Sequence, residues 1–257
     1  MAKASARRKP PRTQTRRPAR PRKPLPEGYW EVTHRPLQCL VFLMPMVLLY
    51  ELGMALSHGR IPVANQSDLA ARKLLDWFFS LFGAQAFYLP GLVLVAVLLA
   101  WHVAARHNWS VAWRPLAAMY GESVVLAVPL MLLNSWIPPS PLAATAGSPI
   151  TDELLLCVGA GIYEELVFRL IVITLLNLLF VDIFGMRQIA GTAMVVILSS
   201  LMFAAHHYHP IGSDPWSSAG FAFRAAAGAY LAAVYVFRGF GLAVGSHIVY
   251  DVVAVLL

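Results

Sequence analysis

The feature that most limits what this chain can become is a succession of apolar stretches, each close to the length a helix needs to cross a bilayer. They run roughly over residues 37–57, 87–105, 116–137, 152–180, 187–208, 219–238 and 241–257. About 20 residues rising about 1.5 Å apiece cover a hydrocarbon core of about 30 Å. Lipid offers no water to backbone N–H and C=O groups, so such segments must satisfy them internally as helices. The predicted fold is therefore all-α, a polytopic membrane helix bundle with about six to eight transmembrane helices. Between the first two stretches, over 69–83, Leu69, Lys73, Asp76 and Ser80 alternate with Trp77, Phe78, Phe79 and Leu81. That alternation predicts an amphipathic helix lying in the interface. A proline-rich loop over 138–149 separates the third stretch from the fourth.

Only 13% of residues are charged, against about 25% in an average soluble domain. Residues 1–24 hold 10 of the 20 Lys and Arg and no acidic residue, and the rest of the chain has 10 basic and 13 acidic residues. The basic character thus belongs to the tail, and the body offers no cationic face for nucleic acid. Arg and Lys interleaved with proline bury little apolar surface, so residues 1–28 are expected to be a disordered tail. Its expected partner is anionic lipid. Residues 29–257 are expected to form one membrane domain. A basic segment before the first span holds the N-terminus in the cytoplasm, so the expected location is the cell membrane, multi-pass, with a cytoplasmic N-terminus. Cys39 and Cys157 lie in apolar runs without ligand spacing, and imply neither a disulfide framework nor a thiolate metal site.

Ionisable groups inside apolar spans are costly, so they tend to face the bundle interior and mark function. Three groups break the hydropathy here. In the first, Glu164-Glu165-Leu-Val-Phe168-Arg169, Glu165 and Arg169 stand four residues apart and can pair on one helix face. Glu164 is rotated by about 100° from that face and has no local cation. The second is Phe203-Ala-Ala-His206-His207, with Phe203 and His207 on one face, and the third is His247-Ile-Val-Tyr250-Asp251, with His247 and Asp251 one turn apart. Taken singly, each has an ordinary explanation: a helix-end histidine that caps, an Arg pair that is structural, a polar pair that joins two helices. In conjunction they assemble the groups that activate water and stabilise an oxyanion.

The order EExxxR, then FxxxH, then HxxxN/D, each on a hydrophobic helix, resembles the CPBP family, intramembrane proteases related to the CAAX prenyl endopeptidase. The resemblance covers about 152–257, and it departs from the family pattern at Leu170, where many members have Gly, and at Asp251, where the prenyl endopeptidases carry Asn. It implies an intramembrane endopeptidase acting on a membrane-associated peptide or protein. Glu164 would be the general base for water, assisted by His207, Glu165 with Arg169 would orient it, and His247 with Asp251 would hold the scissile carbonyl. No HExxH pair supplies two imidazoles from one helix, so the expected mechanism needs no metal. Were zinc present, its ligands would be Glu164, His207, His247 and Asp251. A non-enzymatic scaffold of the same family and a proton-coupled transporter are the competing readings. The sequence also poses a difficulty, since counting inward from the expected span ends puts His207 near one end of its helix and His247 near the opposite side of the bundle. Equal, straight spans would keep them apart.

Overall fold

In the computed structural model, residues 28–56, 70–83, 88–136 and 149–257 are described. Expectations for the basic tail and most of the proline-rich loop lie outside them. Among the described residues the chain is a helix bundle without strands, in the order α1 (Tyr29–Thr33), α2 (Pro36–Leu56), α3 (Ala70–Ser80), α4 (Leu89–Ala104), α5 (Trp113–Trp136), α6 (Ile150–Glu165), α7 (Ile173–Asn177), α8 (Gln188–Ala205), α9 (Ser218–Arg238) and α10 (Phe240–Leu256). π-helical segments, Leu166–Val172 and Leu178–Ile183, join α6 to α7 and extend α7. The result is one helix of 34 residues from Ile150 to Ile183.

Among the described residues, five helices are long and apolar enough to cross a membrane: α2, α5, the 34-residue helix, α8 and α9. α4 and α10 are shorter apolar helices. All seven match the stretches read from sequence to within a few residues, and the chain is a multi-pass membrane protein. The outer surface agrees, because Leu48, Leu49, Leu52, Val124, Val125, Leu132 and Ile197 are exposed on these helices. A soluble protein rarely leaves so much large apolar surface uncovered.

The core is built around α2, α6 and α10, where Phe42, Leu43, Tyr163, Leu166, Phe240, Leu242 and Val244 are buried together. Lipid is as apolar as leucine, so close packing rather than exclusion from water holds such helices together. Gly161 shows how close α6 and α10 run, since a Cβ there would lie 3.0 Å from the backbone N of Ile248 and 3.3 Å from its Cα. Backbone cannot step aside as a side chain can. Gly161→Ala is expected to force α6 and α10 apart, at about 1–3 kcal/mol, and to lower the melting temperature in detergent. An unchanged melting temperature would show that the contact is not tight.

Two buried polar clusters brace the bundle away from its centre. Arg238 donates to both oxygens of Glu122, at 2.6 and 2.8 Å, and stacks 3.6 Å over the Trp30 ring. Tyr29 also donates to Glu122, and burial together with that acceptor raises the phenol above its usual pKa. These contacts fasten α1 to α5 and α9. In the second cluster Arg72, buried on α3, donates to the Tyr50 hydroxyl at 2.8 Å and lies over the rings of Tyr50 and Tyr163. Tyr163 in turn donates to Glu51 at 2.6 Å. α3 is thus the amphipathic helix expected, pinned by Arg72 while Trp77 and Phe78 stay exposed. Glu51 and Glu122 therefore serve these braces, and Arg224 pairs with neither of them but with Asp214.

Candidate active site

Six residues singled out in the sequence, Glu164, Glu165, Arg169, His207, His247 and Asp251, come together where α6, the π-helical segment after it, α10 and the end of α8 meet. Glu165 and Arg169 pair along their own helix, Nε to Oε2, at 3.0 Å, with both side chains at 1% exposure or less. The angle falls short of a hydrogen bond and Arg169 Nη1 has no hydrogen-bonding partner. Its guanidinium instead lies 4.4 Å from the Phe203 ring centroid and donates, at 3.3 Å, to the carbonyl of Gly228. Gly228 lets α9 run close to α8, because a Cβ there would stand 3.0 Å from Phe203 and 3.2 Å from the Ser200 backbone.

Winding changes from α to π directly after Glu165. Such widened turns are rare and often occur at functional sites. Here the π-helical turn carries Phe168 and Arg169. Phe168 packs edge-on against Phe203 of α8, and its carbonyl accepts from Ser199 at 2.8 Å.

Glu164, rotated away from Arg169, faces imidazoles from two other parts of the chain. His207 Nε2 lies 3.7 Å from Oε1, and His247 Nε2 lies 3.8 Å from Oε2. His247 also joins the other two carboxylates, with Nδ1 2.9 Å from Glu165 Oε1 and Nε2 3.4 Å from Asp251 Oδ2. Its position bridges the adjacent glutamates. Ring spacing of 5.9 Å between Phe203 and His247 closes the arrangement between α8 and α10.

His207 and His247 do meet, contrary to the equal-depth count. α8 ends at Ala205 with His206 as its C-cap, so His207 belongs to the turn beyond the helix, whereas His247 sits eight residues into the 17 of α10. Site depth is set by where helices cross, not by distance from a hydropathy boundary. The chain after His207 then folds back, with Asp214 N donating to the His207 carbonyl at 3.0 Å and Arg224 of α9 holding the Asp214 carboxylate. Arg224 lies over Tyr208, within a side chain only 15% exposed, so it braces the turn rather than reaching for a membrane surface.

One residue of the site was missed in the sequence. His206, read as a cap, sits with its Nε2 3.6 Å from Glu164 Oε1. Its Nδ1 and that of His207 both approach the carbonyl of Phe203, the latter at 2.9 Å. A carbonyl only accepts, so both rings present Nδ1–H there and leave Nε2 as a lone pair toward Glu164. The His206 side chain is 2% exposed and its Nε2 has no hydrogen-bonding partner, while His207 is 19% exposed. The consecutive histidines were the available signal, but on an ideal helix they diverge by about 100°.

For a metal, the structure gathers a set different from the four residues expected. Among the described residues, the ligand atoms of Glu164, His206 and His207 lie within 4.8 Å of one another. His247 and Asp251 stand on the far side of the Glu164 carboxylate. One carboxylate and two neutral imidazoles suit zinc and related ions by donor type.

Residues 146–253 match the family model described as type II CAAX prenyl endopeptidase, Rce1-like. No curated protein matches the chain. No solved structure matches it either. The matched stretch contains every residue of the cluster just described, and it supports the resemblance to the CPBP, or CAAX protease, family over residues 146–253.

Proposed function

We propose that the protein is an intramembrane endopeptidase in which Glu164, assisted by His207, activates the water that attacks a peptide bond. The observation that carries this reading is a single buried carboxylate flanked, on its two oxygens, by His207 and His247 at 3.7 and 3.8 Å. The cation on its own helix, Arg169, is paired with Glu165, so Glu164 remains free to take a proton. His207, the more exposed imidazole, marks the open side of the site together with Asp251, which is 21% exposed.

In this mechanism water lies between Glu164 Oε1 and His207 Nε2. As its oxygen bonds to the scissile carbon, one O–H bond breaks and the proton passes to Glu164. The carbonyl oxygen gains charge on the side of His247, which as an imidazolium donates Nδ1–H to Glu165 and Nε2–H to the oxyanion, joined by a protonated Asp251. Collapse of the tetrahedral species breaks the C–N bond, and Glu164 returns its proton to the leaving nitrogen. Glu165 and Arg169 act through others. Their pair fixes the helix, and Glu165 holds His247 by Nδ1 so that Nε2 faces the reaction.

The substrate is a peptide or protein held in the membrane, and the protein lies in the cell membrane with the basic tail in the cytoplasm, where anionic lipid draws it. Detergent-purified protein is expected to cleave members of a peptide library with no ion gradient present, as read by mass spectrometry of new termini. A proton-coupled transporter or an inactive scaffold would leave every peptide intact.

A further inference from the structure

We propose that the cleft between α3 and the turn that follows α8 seats an apolar segment of the substrate on its way to Glu164, and that Lys73 at its edge selects substrates bearing a carboxylate beside that segment. The proposal rests on the endopeptidase reading above and adds to it the chemistry of what is cleaved. The cleft has a volume of about 470 Å³ and is lined by Lys73, Leu74 and Trp77 of α3 and by Pro210 and Ile211 of the turn. Apolar walls with one polar group to fix orientation are the usual lining of a binding site.

Both walls are fixed to the catalytic cluster. On one side the Arg72 guanidinium lies 5.4 Å from the centroid of the Tyr163 ring, and Tyr163 directly precedes Glu164. On the other, the turn starts at His207, whose carbonyl accepts from Asp214 N at 3.0 Å, while Ile211 N and Gly212 N donate to the Tyr208 carbonyl. Pro210 and Ile211 thus follow closely on the imidazole proposed to share the attacking water. The cleft also lies on the face where the site opens. α3 follows the first of the seven apolar helices and the turn follows the fifth, so alternation puts both at the end of the bundle away from the start of α2. The start of α2 lies instead beside the turn before α5, where Gln38 exchanges two hydrogen bonds with the backbone of Ala112.

Charge then says what the cleft takes. Lys73 is exposed, and the charged groups around it are engaged with one another: Arg72 with Tyr50 and Asp76, Arg224 with Asp214. Among the described residues no carboxylate pairs with Lys73. An acidic substrate supplies one, from an Asp or Glu side chain or from a chain end, whereas a substrate with Lys at the same place is repelled.

The test uses the full chain in neutral detergent and pairs of peptides that differ at one residue, Asp in one member and Lys in the other, placed in turn at each position flanking the cleaved bond. Wild type is expected to favour the Asp member about fivefold or more in kcat/KM at one position at least, since attraction of one member and repulsion of the other add. Lys73→Gln is expected to abolish that preference and Lys73→Glu to reverse it. Arg114→Glu, the same change of net charge on an exposed residue at the opposite end of the bundle, is expected to keep it. Free and amidated C-termini tell a side-chain carboxylate from a chain end. Equal cleavage of both members by wild type, or a preference that survives Lys73→Glu, would overturn the proposal and leave the endopeptidase reading standing. A shift as large in Arg114→Glu would also overturn it, because net charge would then be the cause. If wild type cleaves no peptide, the endopeptidase reading fails, and fluorescence anisotropy of dye-labelled peptides decides the cleft. Tighter binding of the Asp member that depends on Lys73 would support it, and equal binding of both members would overturn it.

Discussion

Glu164→Gln is expected to reduce peptide cleavage by at least about 10²–10⁴-fold, the usual contribution of a positioned general base, while the protein inserts and folds as before. Glutamine keeps the shape of the side chain but cannot accept a proton from water at neutral pH. Its fold should survive for a physical reason visible in the site: the glutamine amide donates hydrogen bonds, and His206 Nε2 and His207 Nε2 are acceptors 3.6 and 3.7 Å from the present carboxylate oxygen. The substitution therefore removes repulsion between lone pairs. Thermal unfolding in detergent is expected to be unchanged or slightly raised alongside the loss of turnover. His207→Ala should show the same loss with a small decrease in stability. Turnover in folded Glu164→Gln within tenfold of wild type would remove Glu164 from the role of base.

The second large effect is on stability. Glu165 and Arg169 are buried, and Arg169→Leu leaves the Glu165 carboxylate with His247 as its one remaining named partner. Breaking one side of a buried ion pair costs about 3–5 kcal/mol, because the charge left behind has no water to turn to. Glu165→Gln strands the guanidinium instead, with only the Gly228 carbonyl and the Phe203 face to receive it. Both variants are expected to lose stability and activity together. The double variant Glu165→Gln with Arg169→Leu is expected to be less destabilised than the sum of the two. Additive losses in a double-mutant cycle would show that the pair does not interact.

The spans were legible because crossing lipid demands a long uninterrupted apolar run, and the helices observed begin and end within a few residues of those runs. Pairs four residues apart were legible too: Glu165 with Arg169 and His247 with Asp251 stand at 3.0 and 3.4 Å. The joining of three motifs into one cluster depended on resemblance to a family, since nothing in a single helix says which neighbour it faces. What escaped had no periodic signature. The π-helical turn after Glu165 shifts the phase of the helix without any Pro or Gly at the change. His206 turns toward Glu164 because α8 ends one residue earlier, and hydropathy had extended that span to 208. Glu122 with Arg238, and Tyr163 with Glu51, join residues more than 100 positions apart. Their partners come from packing alone, which no spacing along the chain reveals.

The division of labour between adjacent glutamates follows from the same geometry. Glu165 is committed to Arg169 and to His247 Nδ1, and Glu164 to imidazole nitrogens that donate nothing in their neutral form. In the proposed mechanism one carboxylate is charge-compensated, while its neighbour exchanges the proton. Asp251, in place of the amide of the prenyl endopeptidases, must be protonated to donate to an oxyanion. Asp251→Asn is therefore expected to retain cleavage, with a pH profile that no longer falls where Asp251 ionises, and loss of activity at every pH would remove Asp251 from that role.

The central claim, hydrolysis by water activated at Glu164, is tested most directly by incubating detergent-purified wild type and Glu164→Gln with a cleaved peptide in ¹⁸O-labelled water. The account predicts one ¹⁸O atom in the new C-terminal carboxylate from wild type during a single turnover, a free amine on the other fragment, and no labelled product from folded Glu164→Gln. Equal labelled product from both proteins, or unlabelled product from wild type, would contradict it.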